Sequence, residues 1–417
     1  MAQLRKDIFA FGRALATIED ITALIAERTP VVSEVEHVSL ADAMGRVLAE
    51  NLIAPIDLPA FDNSAVDGYA VAFDDLASSG ETALPVVSRI AAGEEASAMA
   101  PGGGAARIFT GAPMPPGADT VFMQEDVRIE GGRVILPSGL ARGANARSRG
   151  EDIAKGAIAI EAGQRLDPRF IALAAALGQA RLPVRRPLRV AVFSTGDEIV
   201  APGERLSPAK TYDSNRFALL ALLGRRGCAV SDLGVLRDHQ AEIARSLVAA
   251  TERHDLVVTS GGVSTGEADY VRAALEQSGS LVFWRLAIKP GRPIAMGLLN
   301  GVPVIGLPGN PVATFVAFAF VVRPLLAALE GERLQAPASA RVRSGFDYVK
   351  KAGRREFVRA KLVRCADGQD EAQKHPVDGA GVLTSLTRTD GFVVLPEPAE
   401  TVRAGDYLEF IDYGQLF

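Results

Sequence analysis

The stretch His254-Asp255-Leu256-Val257-Val258-Thr259-Ser260-Gly261-Gly262-Val263-Ser264-Thr265-Gly266-Glu267-Ala268-Asp269 decides how this chain folds. Residues 255–260 form a short β-branched run of the kind that makes a buried parallel strand. Two glycines follow at once. Lacking Cβ atoms, Gly261 and Gly262 let the backbone turn sharply and bring its N–H groups close to a ligand, while Ser264 and Thr265 add hydroxyl donors. A helix is expected from residue 268 to 278, so its positive end faces whatever the loop holds. Glu267 and Asp269 lie at that end, where they either complement the dipole or bind a cation accompanying a phosphate; both readings stand.

Two further glycine-broken loops follow short apolar runs downstream. In Lys289-Pro290-Gly291-Arg292 two cations flank a turn, and Arg285, two alternations earlier, shares a strand face with Lys289. Such convergence suits an oxyanion, the alternative being a solvated edge decorated with bases. In Leu307-Pro308-Gly309-Asn310-Pro311, Asn310 reads as a helix N-cap and Pro311 as the first helical residue, which is also a ready anion site. The apolar run 312–322 predicts a buried helix that Arg323 and Pro324 cut short, too early for a membrane span.

Working outward, strands at 188–193, 228–235 and 255–260 alternate with helices at 215–226, 240–253 and 268–278. A hairpin across Asn300-Gly301 (293–299, 302–307) precedes the helix after Pro311. This is the pattern of a doubly wound, mostly parallel sheet. Its first strand runs into Ser194-Thr195-Gly196-Asp197-Glu198, at the same carboxyl edge as the glycine loops, where ligands bind in such sheets. Glu198 has no capping duty there and is assigned a functional role. Asp213-Ser214-Asn215 opens a helix, and Asp213 reads first as its cap. Asp238 follows another strand.

Upstream, helices are expected at 1–28 and 39–50, the second capped by Ser39, followed by a small β-rich module with strands at 69–73, 84–90, 120–124 and 134–136. A helix at 168–178 leads to a stiff linker, Pro183-Val184-Arg185-Arg186-Pro187. Beyond residue 337 short strands return as a barrel or sandwich. The expected division is 1–56 with 143–182, 57–142, 183–334 and 335–417. Two polar stretches stand outside the sheet: Asp62 to Asp67 in a small-residue turn, and Gly150-Glu151-Asp152 after an arginine-rich loop. Each reads equally as plain local structure, an Asx-turn and a solvated charge run, or as a functional cluster.

At 417 residues the chain exceeds one ordinary domain, and 48% apolar content with 6% aromatics describes aliphatic globular cores. The formal charge, 45 − 50 = −5, argues against nucleic-acid coating, so an anion site must be a local basic focus. Cys228 and Cys365 stand far apart, which disfavours a disulfide scaffold, and His37, His239, His254 and His375 show no zinc-ligand spacing. The N-terminus is unlike a signal peptide, and no membrane span is expected, so the chain reads as cytoplasmic.

Eight segments in order resemble the MoeA proteins and the gephyrin E domain, the molybdopterin molybdenumtransferase family: FDNSAVDGYAV (61–71), RIFTGAPMPPGADTV (107–121), RSRGEDI (147–153), STGDEI (194–199), YDSNRFALLALL (212–223), TSGGVSTGEADYV (259–271), FWRLAIKPGRP (283–293) and GLPGNPVATF (306–315). The resemblance spans nearly the whole chain. It implies four domains (a helical dimerisation domain, a small β-rich domain, the molybdopterin-binding α/β domain and a C-terminal β-barrel-like domain) in a homodimer. It also implies a reaction in which adenylylated molybdopterin and molybdate give molybdenum cofactor and AMP, with a divalent cation such as Mg2+. Asp62, Asp152, Glu198, Asp238 and Asp269 would be catalytic, the last three binding the metal. Thr110, Ser194, Thr195, Gly196, Asp213, Ser214, Asn215, Ser260, Gly261, Gly262, Val263, Ser264, Pro308, Gly309 and Asn310 would bind the pterin nucleotide. Molybdate would meet Arg285, Lys289, Arg292, Arg354, Arg359 and Ser385. Arg285 and Arg292 stand where lysine is frequent in the family, and Asp390 where asparagine is. Contacts with an adenylyltransferase and with cofactor-accepting enzymes are implied as well. Two other readings are a molybdopterin adenylyltransferase, which has a similar glycine loop but lacks the flanking domains, and a gephyrin-like scaffold without catalysis.

Overall fold

The computed structural model describes residues 15–96, 103–263, 270–278 and 280–417. Its central sheet has the strand order Ala229–Leu236, Arg189–Thr195, Leu256–Ser260, Val302–Leu307, Pro293–Leu299, Ser280–Arg285. The first four strands are parallel, Pro293–Leu299 runs against them, and Ser280–Arg285, antiparallel to its neighbour, returns to their direction, giving the expected doubly wound, mostly parallel sheet. The side-chain alternation of a strand fills both faces. Ala191, Phe193 and Val257 meet Ile243, Leu247, Val271 and Leu275 on one side. Val190, Val192 and Val258 meet Leu219, Leu223, Val316 and Leu325 on the other. The hairpin turns on Asn300 (φ 53°) and Gly301 (φ 82°), the left-handed pair that a two-residue primed turn demands.

The helix after Asn310 does not end at Arg323-Pro324. A π-helical stretch, Phe318–Val322, joins Pro311–Ala317 to Arg323–Glu330. The wider turn accommodates a proline that has no N–H for the regular ladder. The resulting Pro311–Glu330 helix is long and apolar enough to cross a membrane by length and composition, with 78% of its most apolar window buried inside the fold.

Two other expectations are corrected. Residues 39–50 make only a single tight turn, Leu40–Asp42, with Ser39 accepting from the Asp42 N–H; Gly45 then turns left-handed (φ 74°), and Val47 and Leu48 pair with Arg165 and Val184. The supposed linker is partly a strand, Arg181–Arg185, antiparallel to Val35–Ser39. On the strand's other side the Pro183 carbonyl accepts from the Ala49 N–H at 2.9 Å within a short bridge to residues 47–49, so proline serves there as an acceptor and only its donor is missing.

Residues 43–54 and 153–184 share one core. The module between them holds a six-stranded sheet: Thr120–Met123, Gly68–Val71, Ala105–Ile108, Thr82–Ile90, Arg133–Leu136, Arg128–Glu130. Helix Ile18–Arg28, with a Thr17–Asp20 capping box, buries Ile21 and Ile25 in the core of the large sheet, against helix Arg323–Glu330. In the last domain, strands Arg355–Arg364, Asp370–Lys374, Ala340–Ser344, Tyr407–Asp412 and Gly391–Leu395 close into a five-stranded barrel. Strand Ile288–Lys289, arriving from the large sheet, adds to that barrel's edge and sets Lys289 opposite Glu356.

Candidate functional site

Parallel strands end at one edge of the sheet, and three of the expected loops leave from it. Gly261 and Gly262 have φ of 89° and 69°, and a Cβ on them would lie 2.7 Å from the Thr195 carbonyl oxygen and 2.9 Å from Thr195 Oγ1. Only glycine lets this loop lie so close to the end of strand Arg189–Thr195. Among the described residues Thr195 Oγ1, itself buried, has no hydrogen-bond partner. A buried hydroxyl without a partner beside a backbone loop is a group that a bound ligand would satisfy. Val263 is buried against Gly306, where a Cβ would meet it at 2.2 Å.

The Asn215 amide links two loops by donating to Ser260 Oγ and to the Gly309 carbonyl, both at 2.8 Å. Asp213 does cap its helix: Oδ1 accepts from the Arg216 N–H at 3.1 Å and the Ser194 hydroxyl at 3.0 Å, and Oδ2 from the Arg216 guanidinium at 2.8 Å. Arg216 is held in turn by Asp232 at 2.6 Å, a pair the sequence reading missed. Ser214 opens the helix without a side-chain cap. Asn310 occupies the N-cap position, yet its side chain makes no capping bond; the Thr314 hydroxyl instead donates to the Pro308 and Asn310 carbonyls at 2.7 and 3.2 Å. The Val312 N–H reaches the Ala380 carbonyl at 3.0 Å, so a loop of the barrel seals this helix start.

Acids gather at the first strand's end. The Asp197 N–H donates to Asp238 at 3.3 Å, and the Glu198 carboxylate folds back over Gly196. Burial raises the Asp238 carboxyl above its ordinary range, and the nearby Asp197 and Glu198 charges add to the shift. Among the described residues no three acidic, histidine or cysteine side chains converge closely enough to form a complete metal site. Oxygen donors of this kind suit Mg2+, which is commonly held by one or two carboxylates plus substrate phosphates. Asp269 and Ser264 lie outside the described residues.

The cations lie where the sheet domain meets the barrel. Lys289 Nζ donates to Glu356 Oε2 at 3.0 Å and to the Tyr348 hydroxyl at 3.2 Å. Burial alone would lower this lysine's pKa, but the bonds to Glu356 and Tyr348 raise it. Arg359, buried, donates to Ser385 Oγ at 3.1 Å and to the Val377 and Gly379 carbonyls. Lys289 and Arg359 line one small cleft of about 80 Å3. Arg292 is exposed on the turn, and half-buried Arg354 precedes the barrel strand. Arg285 closes strand Ser280–Arg285, its side chain lying outside the described structure.

A separate cluster forms where the small β-rich module meets residues 147–153. Asp62 accepts from the Arg149 N–H at 2.7 Å, and Thr110 donates to Asp67 through its N–H and hydroxyl at 2.8 and 2.9 Å. Those two bonds hold the Asp67 carboxyl below its usual range. Asp152 is anchored by its N–H to the Leu58 carbonyl, leaving its side chain exposed. Among the described residues, no hydrogen bond or ion pair joins residues 57–142 to the sheet domain or the barrel.

A phosphate-type loop at a sheet edge, a cationic cleft against a barrel and flanking small domains define a class of multidomain α/β protein. Three family models cover the chain in succession: the MoeA N-terminal region (domain I and II) over residues 16–178, a probable molybdopterin binding domain over 191–328, and the MoeA C-terminal region (domain IV) over 341–413. The chain is 38% identical to the molybdopterin molybdenumtransferase of Haemophilus influenzae over 96% of its own length and 100% of that protein. It is 34% identical to that of a Nostoc species over 92% and 90%. A Pyrococcus horikoshii molybdopterin biosynthesis MoeA structure superposes with a TM-score of 0.81 at 29% identity, covering 96% of this chain and 100% of that one. The chain belongs to the MoeA family, the molybdopterin molybdenumtransferases, and is a transferase of molybdenum cofactor biosynthesis.

Proposed function

We propose that this protein joins molybdate to adenylylated molybdopterin and releases AMP, acting as a magnesium-dependent cytoplasmic homodimer. The observation that carries the substrate reading is the Gly261-Gly262 backbone lying against a buried Thr195 hydroxyl, without a partner among the described residues, at the sheet's carboxyl edge. There, backbone N–H groups and Asn215-ordered loops would receive the pterin nucleotide's phosphates. Asp238 and Glu198, with Asp269, would hold Mg2+, which when bound offsets charge on phosphoryl oxygens. Lys289 and Arg359 would attract molybdate, a dianion, into their shared cleft. Asp62, Thr110 and Asp152 belong to the cluster without bonds to the sheet domain, so their part in catalysis calls for the small module of a partner subunit to close over the cleft.

The test incubates purified protein with adenylylated molybdopterin and Mg2+, with and without molybdate, and follows AMP. Molybdate-dependent release is expected. Consumption of ATP and unadenylylated molybdopterin instead would establish the adenylyltransferase reading, and absence of both turnovers the scaffold. Lys289→Ala should raise the molybdate concentration needed for half-maximal rate.

A further inference from the structure

We propose that Glu356, together with Tyr348, is a positioning residue that aims Lys289 into the oxyanion cleft. The proposal rests on the reading that Lys289 meets molybdate. It begins with backbone register: strand Ile288–Lys289 pairs in parallel with the barrel strand, so Lys289 lies directly opposite Glu356. The two residues are 67 positions apart and come from different domains. The Glu356 side chain is 2% exposed, whereas that of Lys289 is 47% exposed.

A carboxylate that deep needs a charged or hydrogen-bonding partner, since leaving it unpaired is costly. Its Oε2 accepts from Lys289 Nζ at 3.0 Å and from the Tyr348 hydroxyl at 2.9 Å, and Lys289 closes the triangle by donating to Tyr348 Oη at 3.2 Å. The ammonium also lies 5.7 Å from the Tyr348 ring centroid. A lysine stem carries much rotamer freedom, and a fixed anion plus a phenol remove it before a ligand arrives.

The other charges around the cleft are accounted for. Arg359 is fixed by Ser385 and two carbonyls, and Asp378 is paired at 2.8 Å with Lys374, whose ammonium lies 5.9 Å from the Tyr348 ring centroid. Lys289 is therefore the exposed cation among the described residues that line the cleft, and Glu356 determines its direction. The raised lysine pKa agrees with this geometry.

The experiment compares Glu356→Gln, Tyr348→Phe and Lys289→Ala in the full chain. It measures molybdate KM and kcat for AMP release, molybdate binding by equilibrium dialysis, the pH profile and thermal melting. Glu356→Gln should raise the molybdate KM about tenfold, the worth of one charge-assisted hydrogen bond, without raising the KM for adenylylated molybdopterin. Its alkaline limb should move to lower pH, because the lysine loses the anion that holds its proton. Tyr348→Phe should act in the same direction with a smaller factor, and it decides the matter if Glu356→Gln fails to fold. An unchanged molybdate KM in both folded variants overturns the proposal. So does a lowered one, which would mean that Glu356 only offsets positive charge. A normal molybdate KM in Lys289→Ala overturns the molybdate reading itself, whereas a raised KM there with none in Glu356→Gln overturns only the positioning role.

Discussion

Replacing Gly261 by alanine tests whether the loop's closeness to strand Arg189–Thr195 is what makes the site. The substitution imposes two separable costs. A non-glycine residue at φ 89° loses about 1–2 kcal/mol to left-handed backbone strain. The new Cβ would also stand 2.7 Å from the Thr195 carbonyl oxygen, a contact with backbone that cannot swing aside, adding about 1–3 kcal/mol of displacement. Gly301 supplies the control. Its φ is 82°, but a Cβ there meets nothing within 4 Å, so Gly301→Ala carries the strain alone. Urea denaturation of both variants, with the KM for adenylylated molybdopterin, separates the costs. Gly261→Ala should lose at least 1 kcal/mol more than Gly301→Ala, or else shift its loop and raise KM roughly tenfold or more. If Gly261→Ala matches the control in stability and leaves KM unchanged, the close-approach argument is wrong.

Three other outcomes are expected. The buried Asp255 carboxylate would be raised by burial, but bonds from Arg186 at 2.7 Å and Arg189 at 2.8 Å hold it well below the usual carboxylate range. Its stabilising contribution is thus complete above the unfolded value of about 3.9 and lost as pH falls through the lower folded value, so Asp255→Asn should weaken the protein at pH 7 and flatten the acid limb of urea midpoint against pH. Asp213→Ala strips Arg216 of one of two anions and Ser194 of its acceptor; a loss of about 3–5 kcal/mol is expected in chemical denaturation, and a loss below 1 would show the network to be dispensable. Chelation should abolish AMP release and Mg2+ restore it, with Asp238→Asn raising the Mg2+ needed; full turnover in excess chelator would remove the metal from the proposal.

The large sheet was legible because its signals are local. Residues 256–258 are apolar without interruption and end a β-branched run just before two glycines, and Asn300-Gly301 can hardly be anything but a two-residue turn. What escaped reading depended on distant partners. Pro183 argued for a linker until Val35–Ser39 was seen to pair beside it. Pro324 argued for a helix end because no local pattern announces a π-helical stretch. In the site, the glycine loops and Lys289 were found from residue type and spacing. Glu356 was invisible, since a carboxylate in a strand reads as solvent-facing until a lysine 67 residues away arrives opposite it. Asp232 was missed for the same reason.

The helix Ile18–Arg28 has a bearing on biosynthesis. Its apolar face is completed by side chains from residues 188–329 and from the barrel, and Glu19 meets Arg355 at 2.7 Å. The first helix described from the N-terminus therefore waits, with Ile21 and Ile25 uncovered, until most of the polypeptide has left the ribosome. During that interval it is a sticky handle for chaperones and for the matching groove of a neighbouring nascent chain, the usual beginning of an exchanged dimer.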